Sequence, residues 1–145
     1  MTKLKTKFQD KNYMLQQVME IGADVAQIKD VDLLLEKILT KAREITNADA
    51  GSIYTIEKDI LNFRIAQNNT QQKLLPPGKK LIYNSFSIKI DNSTIAGYVA
   101  NTGKILNISD VYLLDQSVPY SFGKKFDEQT NYRTKSMLTL PLKNH

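Results

Sequence analysis

The spacing of apolar residues changes once along this chain, near residue 50. Before that point the period is helical. Met14, Val18, Ile21, Val25 and Ile28 recur at alternating spacings of four and three, which predicts one apolar seam on a helix spanning roughly 8–28. Lys7 and Lys11 occupy the preceding seam positions, so the seam is short for a coiled coil. Two uses of it stay open: packing on the chain's own domain, or a parallel dimer contact of the kind that carries signals between domains. Asp30 then offers a helix N-cap, and Val31, Leu34, Leu35, Ile38, Leu39, Ala42 and Ile45 form a second helical stripe ending at about Asn47. That stripe must face a core.

Beyond residue 50 the runs become short, β-branched and aromatic. "SIYTIE" and "ILNFRIA", separated by Lys58 and Asp59, read as a hairpin. Leu61, Phe63 and Ile65 alternate with Asn62 and Arg64, which predicts one buried and one wet face. Residues 68–84, with Pro76, Pro77 and Gly78, read as a loop, and "FSIKI" as a strand. In "DNSTIAGYVANTGK", Asn92 or Ser93 can cap a short helix and Gly103 stands where a left-handed C-cap belongs. "ILNI" reads as a brief strand, residues 109–135 as mostly irregular, and "SMLTLPL" as the last strand. This order is α+β, with helices on one face of an antiparallel sheet that includes 51–57, 60–67 and 136–142.

Composition narrows the function classes. A chain of 145 residues with 41% hydrophobic content can form one domain with a single core. It has no apolar run of membrane-spanning length and no signal-peptide core, which points to a cytoplasmic protein that makes no membrane contact. There is no cysteine, so disulfides, thiol catalysis and zinc–thiolate sites are excluded. The single histidine, His145, is the last residue, which leaves no basis for histidine catalysis or a multi-histidine metal site. Net charge is +5, with Lys3, Lys5, Lys7 and Lys11 crowded at the amino end. Without interleaved aromatics or a nucleic-acid-binding motif, these lysines read as a solvated helix start, and no nucleic-acid partner is expected.

Two candidate motifs fail on chemistry. "GYVANTGK" resembles a phosphate-binding loop, but Ile105 follows Lys104 where Ser or Thr is needed for the metal. Asp127 and Glu128 are adjacent carboxylates, yet neighbours in sequence point in different directions and no second acid opposes them. No catalytic residue and no metal ligand set is assigned.

"STIAGYVANTGKILNISDVY", followed by Phe122, Asp127, Glu128, Thr130, Tyr132, Arg133 and Thr134 at their present spacing, resembles a GAF domain. Within that superfamily it is similar to the branch found in cyclic-nucleotide phosphodiesterases, adenylyl cyclases and bacterial HD-type phosphohydrolases. The resemblance covers roughly residues 31–145, and leaves 1–30 as a separate amino-terminal helix. It implies a PAS-like central antiparallel sheet, helices behind it, and a ligand pocket under a helix-and-loop lid that contains "FDEQTNYRT".

The resemblance further implies a sensory or regulatory module without enzymatic activity, joined to an output domain of a larger signalling protein. By motif position, the contacts of cyclic-nucleotide-binding relatives fall on Ser52, Ile95, Ala96, Asp127, Thr130 and Thr134, and Phe122 of the same motif is a further candidate ligand-binding residue. The same residues have a purely structural reading. Thr130 and Thr134 would cap turns, Asp127 would cap the lid helix or pair with Lys124 or Arg133, and Ile95 and Ala96 would be core.

Two departures from the branch stand out. Asn131 replaces the usual glycine, which asparagine's tolerance of left-handed backbone allows. At the end of the second strand Ala66 and Gln67 replace an aromatic residue and an acid that lie near the nucleobase in binders. No cofactor is expected, because a covalent bilin would need a cysteine and a haem an internal histidine. Methionine sulfoxide reduction, the activity of some relatives, likewise needs cysteines. Two functions remain: a small-molecule sensor, with a cyclic nucleotide as candidate ligand, or a ligand-free dimerisation module. In relatives "TLPLKN" starts a hairpin whose returning strand lies beside the first strand, so the domain is expected to be truncated before its last strand and closing helix. A homo-oligomer formed through the open strand edges or the amino-terminal seam is expected from this.

Overall fold

A computed structural model describes residues 13, 14, 16–19, 22 and 30–142. The described residues from Tyr13 to Gly22 are helical, with Met14 and Val18 exposed. Ile21, Val25 and Ile28 of the seam lie outside the described residues.

Helix α1 (Val31–Thr46) starts where Asp30, in extended conformation, accepts hydrogen bonds from the amides of Asp32 and Leu33. It ends at Asn47, whose left-handed backbone returns an amide to the carbonyls of Arg43 and Glu44. Strand β1 (Ala50–Glu57) turns through Lys58 (φ 55°) into β2 (Ile60–Asn68), as the hairpin reading predicted. Helix α2 (Asn69–Lys73) follows, and was not foreseen in what read as a loop. It forms because Asn68, buried at the strand end, accepts from the Gln71 amide and caps it. Then come β3 (Ser87–Lys89), α3 (Ile95–Thr102), β4 (Leu106–Ile108), α4 (Lys125–Thr130) and β5 (Met137–Thr139).

The architecture is α+β with antiparallel pairing, as expected. The strands divide differently from the expectation. They form a three-stranded sheet in the order β1-β2-β3 and a separate pair β4-β5. The carboxyl-terminal strand was expected in the same sheet as β1 and β2. Its ladder partner is instead β4, through Leu106↔Thr139, Asn107↔Leu138 and Ile108↔Met137. It is also shorter than read, stopping before Pro141, which has no amide to donate.

By packing the chain divides into two compact units, Met1–Ile53 with Arg64–Tyr83, and Tyr54–Phe63 with Asn84–His145. In the first, α1 packs on the start of β1 at close range. A methyl group on Gly51 would lie 2.8 Å from Leu39 Cδ1 and 3.2 Å from the Arg43 side chain, so glycine sets this approach. Leu39 is buried, and so is Arg43, which the apolar stripe did not include. Val31 and Ala42, both placed on that stripe, are exposed. Arg43 can be buried because acceptors converge on it. Its Nε donates to the Ala48 carbonyl (3.3 Å), Nη2 to the Asp49 carbonyl (2.9 Å) and Nη1 to Gln67 Oε1 (2.8 Å). Gln67 in turn donates to the Glu36 carbonyl and to Thr40 Oγ1 on α1. Asn68 Nδ2 is the one buried side-chain polar atom left unpaired among the described residues.

In the second unit, β3 pairs with the start of β2 (Ile60↔Lys89, Leu61↔Ile88, Asn62↔Ser87). Leu61 is buried and Arg64 exposed, as the alternation predicts, but Phe63 and Ile65 are only half-buried, and so is Asn62. Phe63 stacks on Phe86 at 4.6 Å, with Tyr54 edge-on to both. Ile95, Val99 and Val111 form the core of this unit.

Candidate functional site

All of the sequence-predicted site residues except Ser52 lie in the second unit. Ser52 sits on β1 with its side chain exposed. Gln67, at the end of β2, is turned onto α1 by its bonds to Glu36, Thr40 and Arg43.

Helix α3 is capped by Thr94 rather than by Asn92 or Ser93. The Thr94 hydroxyl accepts from the Gly97 amide at 3.0 Å. Ser93 is drawn away by Asp91, whose Oδ1 takes both the amide and the hydroxyl of Ser93 and so lowers the Asp91 pKa. Asn92 accepts instead from the Asn101 amide group. Gly103 closes the helix in the left-handed conformation, as expected. A methyl group on Gly97 would fall 2.7 Å from the Asp91 carbonyl and 3.0 Å from that of Lys89. Glycine here lets the chain leaving β3 cross the first turn of α3. Ile95 is buried at 5% exposure and Ala96 half-buried, so both pack inside the unit.

The 109–124 segment docks on this helix start. The amide and hydroxyl of Ser121 both donate to the Ser93 carbonyl, and Tyr120 lies against Tyr98 at 4.9 Å. Further along, the Val111 amide donates to the Lys135 carbonyl, which ties the segment to the approach to β5.

Helix α4 carries Asp127, Glu128 and Thr130. Asn131 ends it with φ 49°, so asparagine does take the left-handed place of the family's glycine. Thr130 turns its hydroxyl back to the Phe126 carbonyl, 2.8 Å away. Asp127 is 4% exposed, the only carboxylate buried among the described residues. Three donors meet it: the Thr134 amide (2.7 Å) and the Tyr112 hydroxyl (2.8 Å) on Oδ2, and the Thr134 hydroxyl (2.8 Å) on Oδ1. The structure therefore brings Asp127 and Thr134 together. It also corrects the expectation that Asp127 would cap α4 or pair with Lys124 or Arg133. Those two cations sit over the Tyr112 ring, the Arg133 guanidinium carbon at 4.4 Å and Lys124 Nζ at 5.2 Å. Arg133 also reaches Asp110 Oδ2 at 3.4 Å. Phe122 packs against the same ring at 5.4 Å.

Tyr112 was not foreseen as part of the site. It lies fifteen residues before Asp127 in an irregular stretch, and no local periodicity marks it. Burial, together with the hydrogen bond to Asp127 and its negative charge, pushes the Tyr112 phenol above its ordinary value of 10.0.

A family model described as "GAF domain" matches residues 30–145. The chain belongs to the GAF domain family. This GAF domain is 30% identical over 130 residues to a cGMP-specific 3',5'-cyclic phosphodiesterase of Drosophila virilis, covering 88% of this chain and 14% of that protein. It is 26% identical over 144 residues to the enzyme of the same description from Drosophila ananassae, with 88% and 11% covered. The chain thus spans a small part of the curated relatives it matches.

Among solved structures it is similar to the GAF domain of a phosphoenolpyruvate-protein phosphotransferase from Coxiella burnetii. The TM-score there is 0.65 at 17% identity, over 90% of this chain and 70% of that one. Residues 122 to 287 of a methyl-accepting chemotaxis protein match with a TM-score of 0.59 at 16% identity, over 87% and 73%. At such identities the likeness concerns the fold. No helix among the described residues is long and apolar enough to cross a membrane.

Proposed function

We propose that this GAF domain is a non-catalytic sensory module of a larger signalling protein, and that it binds a small polar ligand beneath the lid formed by α4 and the turn after it. The carrying observation is the lid motif itself. In a chain similar to cGMP-specific phosphodiesterases, Asp127 is buried and is gripped by the amide and hydroxyl of the half-buried Thr134. A cyclic nucleotide, cGMP first, is the proposed ligand. Its contacts would come from Ile95, Ala96, Phe122, Asp127, Thr130 and Thr134 of the second unit. Ala66 and Gln67 supply no stacking ring, so affinity would fall short of that of ring-bearing binders by about 1 kcal/mol or more.

Thermal unfolding of the chain with cGMP, cAMP and 5'-GMP tests the reading. A ligand that binds only the folded state stabilises it by about 2.7 kcal/mol at a hundredfold excess over Kd. The melting temperature should therefore climb with cGMP concentration and hardly at all with 5'-GMP. A flat response to both cyclic nucleotides at millimolar concentration would remove them as ligands.

A ligand-free dimerisation module is the second reading. It is favoured by the exposed apolar residues Tyr13, Met14, Val18 and Met19 on the amino-terminal helix. Light scattering across a dilution series decides it, because a monomer at micromolar concentration is incompatible with that role.

A further inference from the structure

Asp127 has three protein donors, and they are not equivalent. A carboxylate offers about four acceptor positions, so one more donor at most can be added without displacing another. Thr134 supplies two of the three from its amide and its hydroxyl, and lies three residues before β5. The amide cannot leave without moving the chain that leads into the β4-β5 ladder, and the hydroxyl of the same residue stays beside Oδ1 while the amide holds. Tyr112 supplies the third through a rotatable side chain on an irregular segment. Its ring is held by Phe122, Lys124 and Arg133 alongside rather than by a closed apolar core. The Tyr112 hydroxyl is therefore the exchangeable member of the set.

We infer that Tyr112 is the positioning residue of the lid and a built-in competitor for its site. In the free domain its hydroxyl occupies the place on Asp127 that an O–H or N–H donor of a ligand takes. Exchange at this one acceptor has consequences beyond it. When Tyr112 leaves, Lys124 and Arg133 lose the ring they lie on, and these residues flank α4 on either side. The segment that carries Tyr112 is anchored further along by Ser121 on the Ser93 carbonyl, beside the α3 cap. Ligand arrival at Asp127 is thereby converted into movement of the 109–124 segment. The competitor role rests on the small-molecule reading above. The positioning role does not.

Amide hydrogen exchange on the full chain tests both. In Tyr112→Phe without ligand, the Thr134 amide and the amides of α4 should exchange about tenfold faster, since a hydrogen bond to a buried charge is lost. Amides of α1 and β2 should keep their wild-type rates. Unchanged exchange at 126–134, or equal acceleration everywhere, would overturn the positioning role. The competitor role is read from Tyr112→Ala with two probes of one shape. Phenol, which brings an O–H donor, should restore protection at Thr134, while toluene, which brings none, should not. Protection restored by both, or by neither, would show that Asp127 takes no exogenous donor. Absence of a cGMP response in the wild-type protein would count against the nucleotide reading alone, because neither exchange measurement involves a nucleotide.

Discussion

Among the described residues, each unit of this GAF domain buries one charged side chain near a helix end, and the two are held in different ways. Arg43, 9% exposed in the last turn of α1, is held by the backbone carbonyls of Ala48 and Asp49 and by Gln67. Asp127, 4% exposed in the first turn of α4, is held by one backbone amide and two side-chain hydroxyls. Both charges suit their end of the helix dipole. The difference lies in what can let go. The carbonyls around Arg43 belong to the turn that joins α1 to β1, so neither can turn away by itself, and only withdrawal of the whole guanidinium would break the set. The Tyr112 hydroxyl can leave Asp127 by rotation of one side chain. A buried charge with backbone partners is a fixture of the fold; one with hydroxyl partners can serve as a switch.

The sharpest attempt to break this contrast is Arg43→Ala. It strands two carbonyls and the Gln67 amide oxygen, and should cost about 3–4 kcal/mol of unfolding free energy by urea titration. A loss under about 1 kcal/mol would mean that Arg43 is no fixture.

Asp127→Ala should cost less, about 2–3 kcal/mol, because the freed Tyr112 hydroxyl can turn toward water while only the Thr134 donors remain stranded. If it cost more than Arg43→Ala, the assignment of fixture and switch would have to be reversed.

A third comparison uses the two glycines. Gly97→Ala meets backbone carbonyls and should cost about 2 kcal/mol, whereas the closest contact of Gly51→Ala is the side-chain methyl of Leu39, which can shift, so it should cost about 1 kcal/mol. Equal costs would show that the first unit is packed as rigidly at β1 as the second is at α3.

The smallest effect belongs to Tyr112→Phe, a drop of a few degrees in melting temperature at neutral pH. Its pH dependence is more telling. The folded-state phenol titrates above its unfolded value of 10.0, so its contribution is complete below 10.0 and is lost as pH rises through the folded pKa. The gap between wild type and Tyr112→Phe should therefore close on the alkaline side. A gap that held constant there would argue against the bond to Asp127.

Much of this was readable along the chain. Asp30 as a cap, Asn131 as a left-handed stop and the turn at Lys58 depend on a residue and its immediate neighbours, and all three are where local chemistry puts them. Thr94 was missed as the α3 cap because Asp91, nearby, competes for Ser93. Helix α2 was missed because the prolines that follow it dominate the composition of that stretch, while a single buried asparagine starts it.

Spacing over a few turns of chain was enough for most of the element types and for the family, and it singled out Asp127 as a candidate. Tertiary structure alone decided which polar groups would be buried and by whom they would be met. Arg43 reads as a solvent-facing residue on a helix until Ala48, Asp49 and Gln67 converge on it, the last from 24 residues away. Tyr112 reads as one aromatic among several until the fold carries its hydroxyl to Asp127. The partner of β5 was likewise open, because any strand with an apolar face could have paired with it. A buried charge is tolerated only where all of its partners arrive together, and that convergence is set by the path of the chain in space rather than by the order of its residues.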